Sequence, residues 1–97
     1  MIRHYVLFKF KPDVSWEDPR AQRAEQTAAQ VGGEVPELRE WTVGRNTSTR
    51  PIAYDFVVVG LLDDMEAVER YLAHPFHQKA ISDWREISDW VIADVQE

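Results

Sequence analysis

The opening residues sort by parity. Ile2, His4, Val6, Phe8 and Phe10 project to one side and Tyr5, Leu7, Lys9 and Lys11 to the other, a period of two that predicts a strand over Ile2–Lys11. Pro12 ends it, because proline brings no amide hydrogen to a ladder. The period then lengthens. Ala21, Ala24, Ala28 and Val31 recur three and four apart, which predicts a helix with a small-volume inner stripe. Ser15 and Asp18 offer capping-box spacing, Pro19 suits a first turn, and Gly32-Gly33 supply a stop. Side chains this small let a helix approach its sheet closely or leave room beside it.

Glu37–Val43 predicts a second, weaker strand, with Trp41 and Val43 on one face, and the polar stretch Gly44 to Pro51 a loop. Ala53–Leu62 is the most apolar strand, with Tyr54, Phe56, Val58 and Leu62 on one face and Val57, Val59 and Leu61 on the other. Asp63 with Glu66 gives another capping signature, ahead of Met65, Val68 and Leu72 at helical spacing with Ala67 and Tyr71 alongside. Pro75 interrupts that helix. It makes His74 a junction residue and opens a further helix, marked by Phe76, Ala80, Ile81, Trp84 and Ile87. Trp90–Val95 predicts the closing strand. The order strand–helix–strand–strand–helix–strand is the ferredoxin-like α+β arrangement, a four-stranded antiparallel sheet with helices on one face. Residues 1–97 read as a single domain.

Helices on one face leave the other bare. Ala53–Leu62 is apolar on both faces, and Tyr5, Leu7, Val91 and Val95 extend the same tendency to the outer strands. A bare apolar sheet is a patch that monomers avoid. The simplest cover is a second copy laying its own sheet on this one, a homodimer burying about 800 Å² per partner.

Composition narrows the partners. Of 97 residues, 44% are apolar and 29% charged, which is globular, and the net charge of −6 argues against nucleic acid, whose binders need a basic stripe. Without cysteine there are no disulfides or thiolate metal sites. The first residues begin a strand, with no basic-then-apolar leader and no apolar run of membrane length, so the expectation is a cytoplasmic protein without membrane association.

The chemistry concentrates in Tyr71-Leu72-Ala73-His74-Pro75-Phe76-His77, which holds two of the three histidines. A histidine in the first turn of a helix meets unpaired amides that favour neutral imidazole, and neutral imidazole beside a phenol suits proton transfer. His77 can be a general base with Tyr71 polarising a carbonyl, or a helix-start histidine bonded to backbone. The two converge only if Pro75 redirects the chain, since six residues of unbroken helix would turn them apart. His4, on an apolar strand face, is either a hydrogen-bonded core histidine or a pocket residue. His74 reads as cap-like. The four tryptophans, Trp84 among them, fit core packing or an aromatic cavity. The histidine spacing is not a zinc pattern, so no metal and no cofactor is expected.

These residues together resemble the stress-responsive A/B barrel family. The resemblance rests on Ile2 to Pro12, Gly44-Arg45-Asn46, Tyr54-Asp55, Tyr71 to His77, and Val91 to Val95 with Asp94; the Tyr-x-x-His-Pro-x-His element is its most specific part. It implies a ferredoxin-like protomer that pairs into a dimeric α/β barrel. A plant polyketide cyclase of the family closes poly-β-keto thioesters by aldol condensation with the tyrosine and second histidine of that element, which correspond to Tyr71 and His77. Its first-strand pocket histidine matches His4, and a third-strand pocket histidine falls where this chain has Phe56, which puts the same substrate in doubt. The implied site is therefore Tyr71 and His77 as catalytic residues, with His4, Phe56, His74 and Trp84 around a small keto or aromatic ligand. Other members resemble stress-associated dimers with no established reaction. Related dimeric barrels include cofactor-free monooxygenases and haem-binding proteins, a reading in which His77 would be a haem ligand. All three readings stand at this level.

Overall fold

A computed structural model describes residues 1–97. Strand β1 (Ile2–Phe10) is followed by helix α1 (Pro19–Glu34), strands β2 (Glu40–Arg45) and β3 (Phe56–Leu62), helices α2 (Met65–Ala73) and α3 (Pro75–Ile87), and strand β4 (Ser88–Gln96). The sheet is antiparallel in the order β2-β3-β1-β4. This is the ferredoxin-like arrangement, with the second helical segment divided at Pro75.

The parity of β1 decides the sides. Ile2, His4, Val6 and Phe8 are buried beneath the helices, whereas Leu7 is exposed. Register carries the same parity across the sheet: His4 stands between Gly60 and Asp94, Val6 between Val58 and Ile92, Phe8 between Phe56 and Trp90. On the opposite face Leu7 stands between Val57 and Val91, and Tyr5 between Val59 and Ala93. No helix covers that row, and Leu7, Val91 and Val95 remain 39%, 51% and 46% exposed.

Under the helices lie two adjoining cores. Phe8, Phe56, Trp84 and Ile87 form one with the alanines of α1; Ile2, Leu62, Val68 and Tyr71 form the other with Val31 and Val35. The α1 stripe is as expected, with Ala21, Ala24, Ala28 and Val31 all buried. Its ends differ from expectation. Asp18 is itself the N-cap, accepting from Arg20 N at 2.9 Å, and is not the fourth residue of a box begun at Ser15. Gly32 and Gly33 lie inside the helix, which ends at Glu34. Gly32 serves closeness instead of termination: a Cβ there would meet Trp41 side-chain atoms at 2.6–2.8 Å.

The remaining corrections have local causes. β2 begins at Glu40 and not Glu37, because residues before it form a turn with Leu38 N bonded to Val35 O, and it runs on through Gly44 and Arg45 beside β3. β3 begins at Phe56, after a turn in which Ala53 N bonds to Arg50 O. Asp64, not Asp63, caps α2 by accepting from Ala67 N at 2.8 Å, and Asp63 instead accepts from Arg39 Nε and Nη2. The inward stripe of α2 is Ala67, Val68 and Tyr71, with Met65 and Leu72 left exposed. β4 extends to Ser88–Gln96 because it pairs along the whole of β1. No helix is long and apolar enough to cross a membrane.

Candidate active site

The break at Pro75 builds the centre of the site. In a continuous helix the Leu72 carbonyl would accept from Phe76 N and that of Tyr71 from residue 75. Proline has no amide hydrogen to give, and the chain turns at His74 (φ −64°, ψ 134°). Phe76 N donates instead to His74 Nδ1 at 3.1 Å, so His74 caps α3. The Leu72 carbonyl is left free and accepts from the side chains of Gln78, at 2.6 Å, and His77, whose Nδ1 lies 3.2 Å away. A carbonyl only accepts, so His77 carries its proton on Nδ1 and keeps the lone pair on Nε2.

The same turn brings Tyr71 and His77 together, with ring centroids 4.2 Å apart. On the other side of Tyr71 stands His4, edge-on at 5.2 Å. Opposite His4 in register, Asp94 on β4 places Oδ1 2.5 Å from His4 Nδ1. With the carboxylate accepting, the His4 ring too donates through Nδ1. The phenol thus sits between two imidazoles, each oriented through its Nδ1.

These groups face one cavity of about 170 Å³ between the sheet and α2–α3. Thirteen of its sixteen lining residues are hydrophobic, and the other three are His4, His77 and Asp94. Polar function is therefore gathered at a single point of an otherwise greasy chamber. Leu72 and Ile92 are its most exposed apolar lining residues and mark a mouth toward the edge strand β4; Ala28, Val31 and Trp41, the last on the opposite edge strand β2, line the other end. The volume is near the ~150 Å³ that admits benzene and short of the ~300 Å³ where drug-sized pockets begin. One ring or a short chain fits.

Burial sets the protonation of the two central groups. The low-polarity surroundings push the Tyr71 phenol well above its ordinary value of 10.0, and the negative charge of Asp94 adds to that, so it stays a hydrogen-bond donor. Desolvation lowers His77 below 6.5 despite the opposing bond to Leu72, with His4 and His74 adding to the fall. His77 is a neutral imidazole near pH 7.

Of the residues singled out in the sequence, Tyr71, His77, His4 and Trp84 line the cavity together. Phe56 and His74 do not. Phe56 lies stacked on Trp84 at 4.7 Å in the aromatic core beside Trp16, and His74 is engaged as the cap of α3. Trp84 presents a ring to the chamber while its Nε1 is buried without a partner. One contributor was not foreseen, Asp94 as the partner of His4, while Trp41 takes up the aromatic-cavity alternative left open for the tryptophans. Parity places both side chains on the helix-covered face, but only the β1–β4 register shows that Asp94 meets His4. No group of three or more histidines or carboxylates is arranged to hold a metal ion.

Fold and site together define a ferredoxin-like α+β protein with an apolar, histidine-bearing chamber beneath its helices. The chain belongs to the stress-responsive A/B barrel domain family, whose model matches residues 2–97. It is 45% identical over 96 residues to an uncharacterized protein of Streptomyces coelicolor, SCO4036, spanning 99% of each chain. Among solved structures it is similar to a dimeric ferredoxin-like protein of unknown function from Thermobifida fusca, with 25% identity, TM-score 0.86 and coverage of 99% and 90% of the two chains. A dimeric protein of unknown function and ferredoxin-like fold from Bacteroides fragilis matches at 21% identity and TM-score 0.87, with coverage of 99% and 95%. The similar folds are thus described as dimers, in keeping with a homodimer for this chain.

Proposed function

We propose that this protein is a homodimer whose protomers each bind a small keto or aromatic compound and carry out cofactor-free proton transfer on it, of the cyclase, lyase or isomerase kind. The observation that carries the reading is Tyr71 held between His77 and His4 at the single polar point of the cavity. The correspondence of Tyr71 and His77 to the tyrosine and second histidine of plant polyketide cyclases supports it.

His77 Nε2 is the base. It takes a proton from a carbon between two carbonyls: the C–H bond breaks, an N–H bond forms, and the electron pair moves onto the carbonyl oxygen as an enolate. The Tyr71 hydroxyl donates to that oxygen, and its raised affinity for its own proton keeps it a donor throughout. The enolate carbon then attacks a second carbonyl, and the alkoxide so formed recovers the proton from the His77 imidazolium. His4, oriented by Asp94, lies on the other flank of Tyr71 and holds a hydroxyl of the substrate. The apolar walls exclude water, which strengthens each of these interactions.

Turnover of small 1,3-diketones by wild type, Tyr71→Phe and His77→Ala tests the assignment. Each variant is expected to lose about 10²-fold or more. Equal turnover by all three removes these residues from the chemistry. A His77→Ala effect confined to melting temperature points to a non-catalytic dimer.

A further inference from the structure

The small residues along α1 leave space over the sheet, and Trp41 fills it. Its indole arrives from the edge strand β2 and donates Nε1–H to the Ala28 carbonyl at 2.8 Å. Gly32 lies close on the α1 side, where an added Cβ would stand 2.6 Å from the ring, and Gly60 on the sheet side, where one would stand 3.2 Å from it. Trp41 is therefore clasped by two residues without side chains and tied to the helix backbone. It cannot swing aside as a surface tryptophan would. Its ring also faces Tyr71, with centroids 6.1 Å apart, and forms part of the cavity wall at the end away from the mouth.

From this arrangement we infer that Trp41 sets the length of the ligand, acting as a fixed stop that restricts the chamber to single-ring or comparably short ketones. The inference rests on the proposed small-molecule site and adds its size limit. A ligand enters at Leu72 and Ile92, meets Tyr71 and His77, and ends against the indole. With the ring of the ketone lying inward of a carbonyl at Tyr71, one more fused ring drives its far end into Trp41. Apolar pockets discriminate weakly when they can yield; this wall has a hydrogen bond and two close backbones against it, so it yields little.

The test is ligand-observed NMR and calorimetric titration with acetophenone and 2-acetonaphthone, which need no turnover. Wild type is expected to bind acetophenone and to bind 2-acetonaphthone at least about tenfold more weakly. Trp41→Ala should narrow or reverse that ratio by about tenfold, with Trp41→Phe between them. Trp41→Phe keeps most of the packing and serves if Trp41→Ala does not fold, as judged by its thermal melt. Leu38→Ala is the control, since Leu38 packs near Gly60 without lining the cavity, and its ratio should match wild type.

An unchanged ratio in folded Trp41 variants that still bind acetophenone overturns the stop while leaving the site intact. A ratio shifted equally by Leu38→Ala assigns the effect to general loosening and also overturns it. Binding of neither ketone by any protein overturns the site reading and the stop with it. Altered ratios without turnover of any substrate uphold the stop and count against the proposed chemistry alone.

Discussion

His77 is buried at the junction of two helices, 7% exposed, and desolvation holds its imidazole below 6.5. In the unfolded chain the ring takes up a proton as pH falls through 6.5, while in the folded chain it resists until lower pH. The unfolded state thus binds more protons in that window, and stability falls as pH drops below 6.5. Urea-unfolding midpoints measured from pH 7 to 5 should decline for wild type and decline less for His77→Gln. A larger decline in the variant would contradict the assigned direction. The same shift keeps His77 competent as a base in mildly acidic solution. At this scale the sequence singled out Tyr71 and His77 as candidates, because histidine and tyrosine around a proline are conspicuous. It did not show Asp94 meeting His4. That contact depends on the pairing of chain positions 90 residues apart, and alternation along each strand says nothing about register between them.

At the scale of elements, two adjacent glycines have opposite meanings. Gly32 and Gly33 both lie within α1, where glycine costs roughly 1 kcal/mol relative to alanine. A Cβ at Gly33 meets nothing within 4 Å, so Gly33→Ala is expected to stabilise the protein by roughly 0.5–1 kcal/mol. A Cβ at Gly32 would overlap the Cβ and ring of Trp41, so Gly32→Ala should destabilise it by about 1–3 kcal/mol despite the better propensity. Thermal melts of the two variants moving in the same direction would contradict the packing described. The pair reads in sequence as a stop signal, and the helix overrides it because Trp41 needs the space. Likewise both Asp63 and Asp64 suit a cap. The choice falls to Asp64, with Asp63 placed to accept Arg39. The Pro75 break, by contrast, is legible directly, since the missing amide hydrogen is a property of the residue itself.

For the whole molecule the uncovered sheet face matters most. Val57, Leu7 and Val91 form a row across β3, β1 and β4, with Tyr5, Val59 and Ala93 in the next row. Charged residues border them: Arg3 bridges Glu40 and Glu97 at one end of the face, and Lys9 stands opposite Asp89 toward the other. An apolar centre with a polar margin has the anatomy of an interface. Leu7→Lys together with Val91→Lys should convert a dimer to a monomer in sedimentation velocity at micromolar concentration. The double variant sedimenting as a dimer would place the interface elsewhere.

The one-dimensional pattern by itself determined the order of elements, the two faces of the first strand, the break at Pro75 and the set of groups able to move protons. Each of these follows from periodicity or from the covalent nature of a single residue. The tertiary structure alone decided which of those groups meet: Tyr71 between His77 and His4, Asp94 behind His4, and Trp41 across the end of the chamber. Such contacts depend on strand register and on the close packing of residues distant in the chain, and neither is written in any local stretch of sequence.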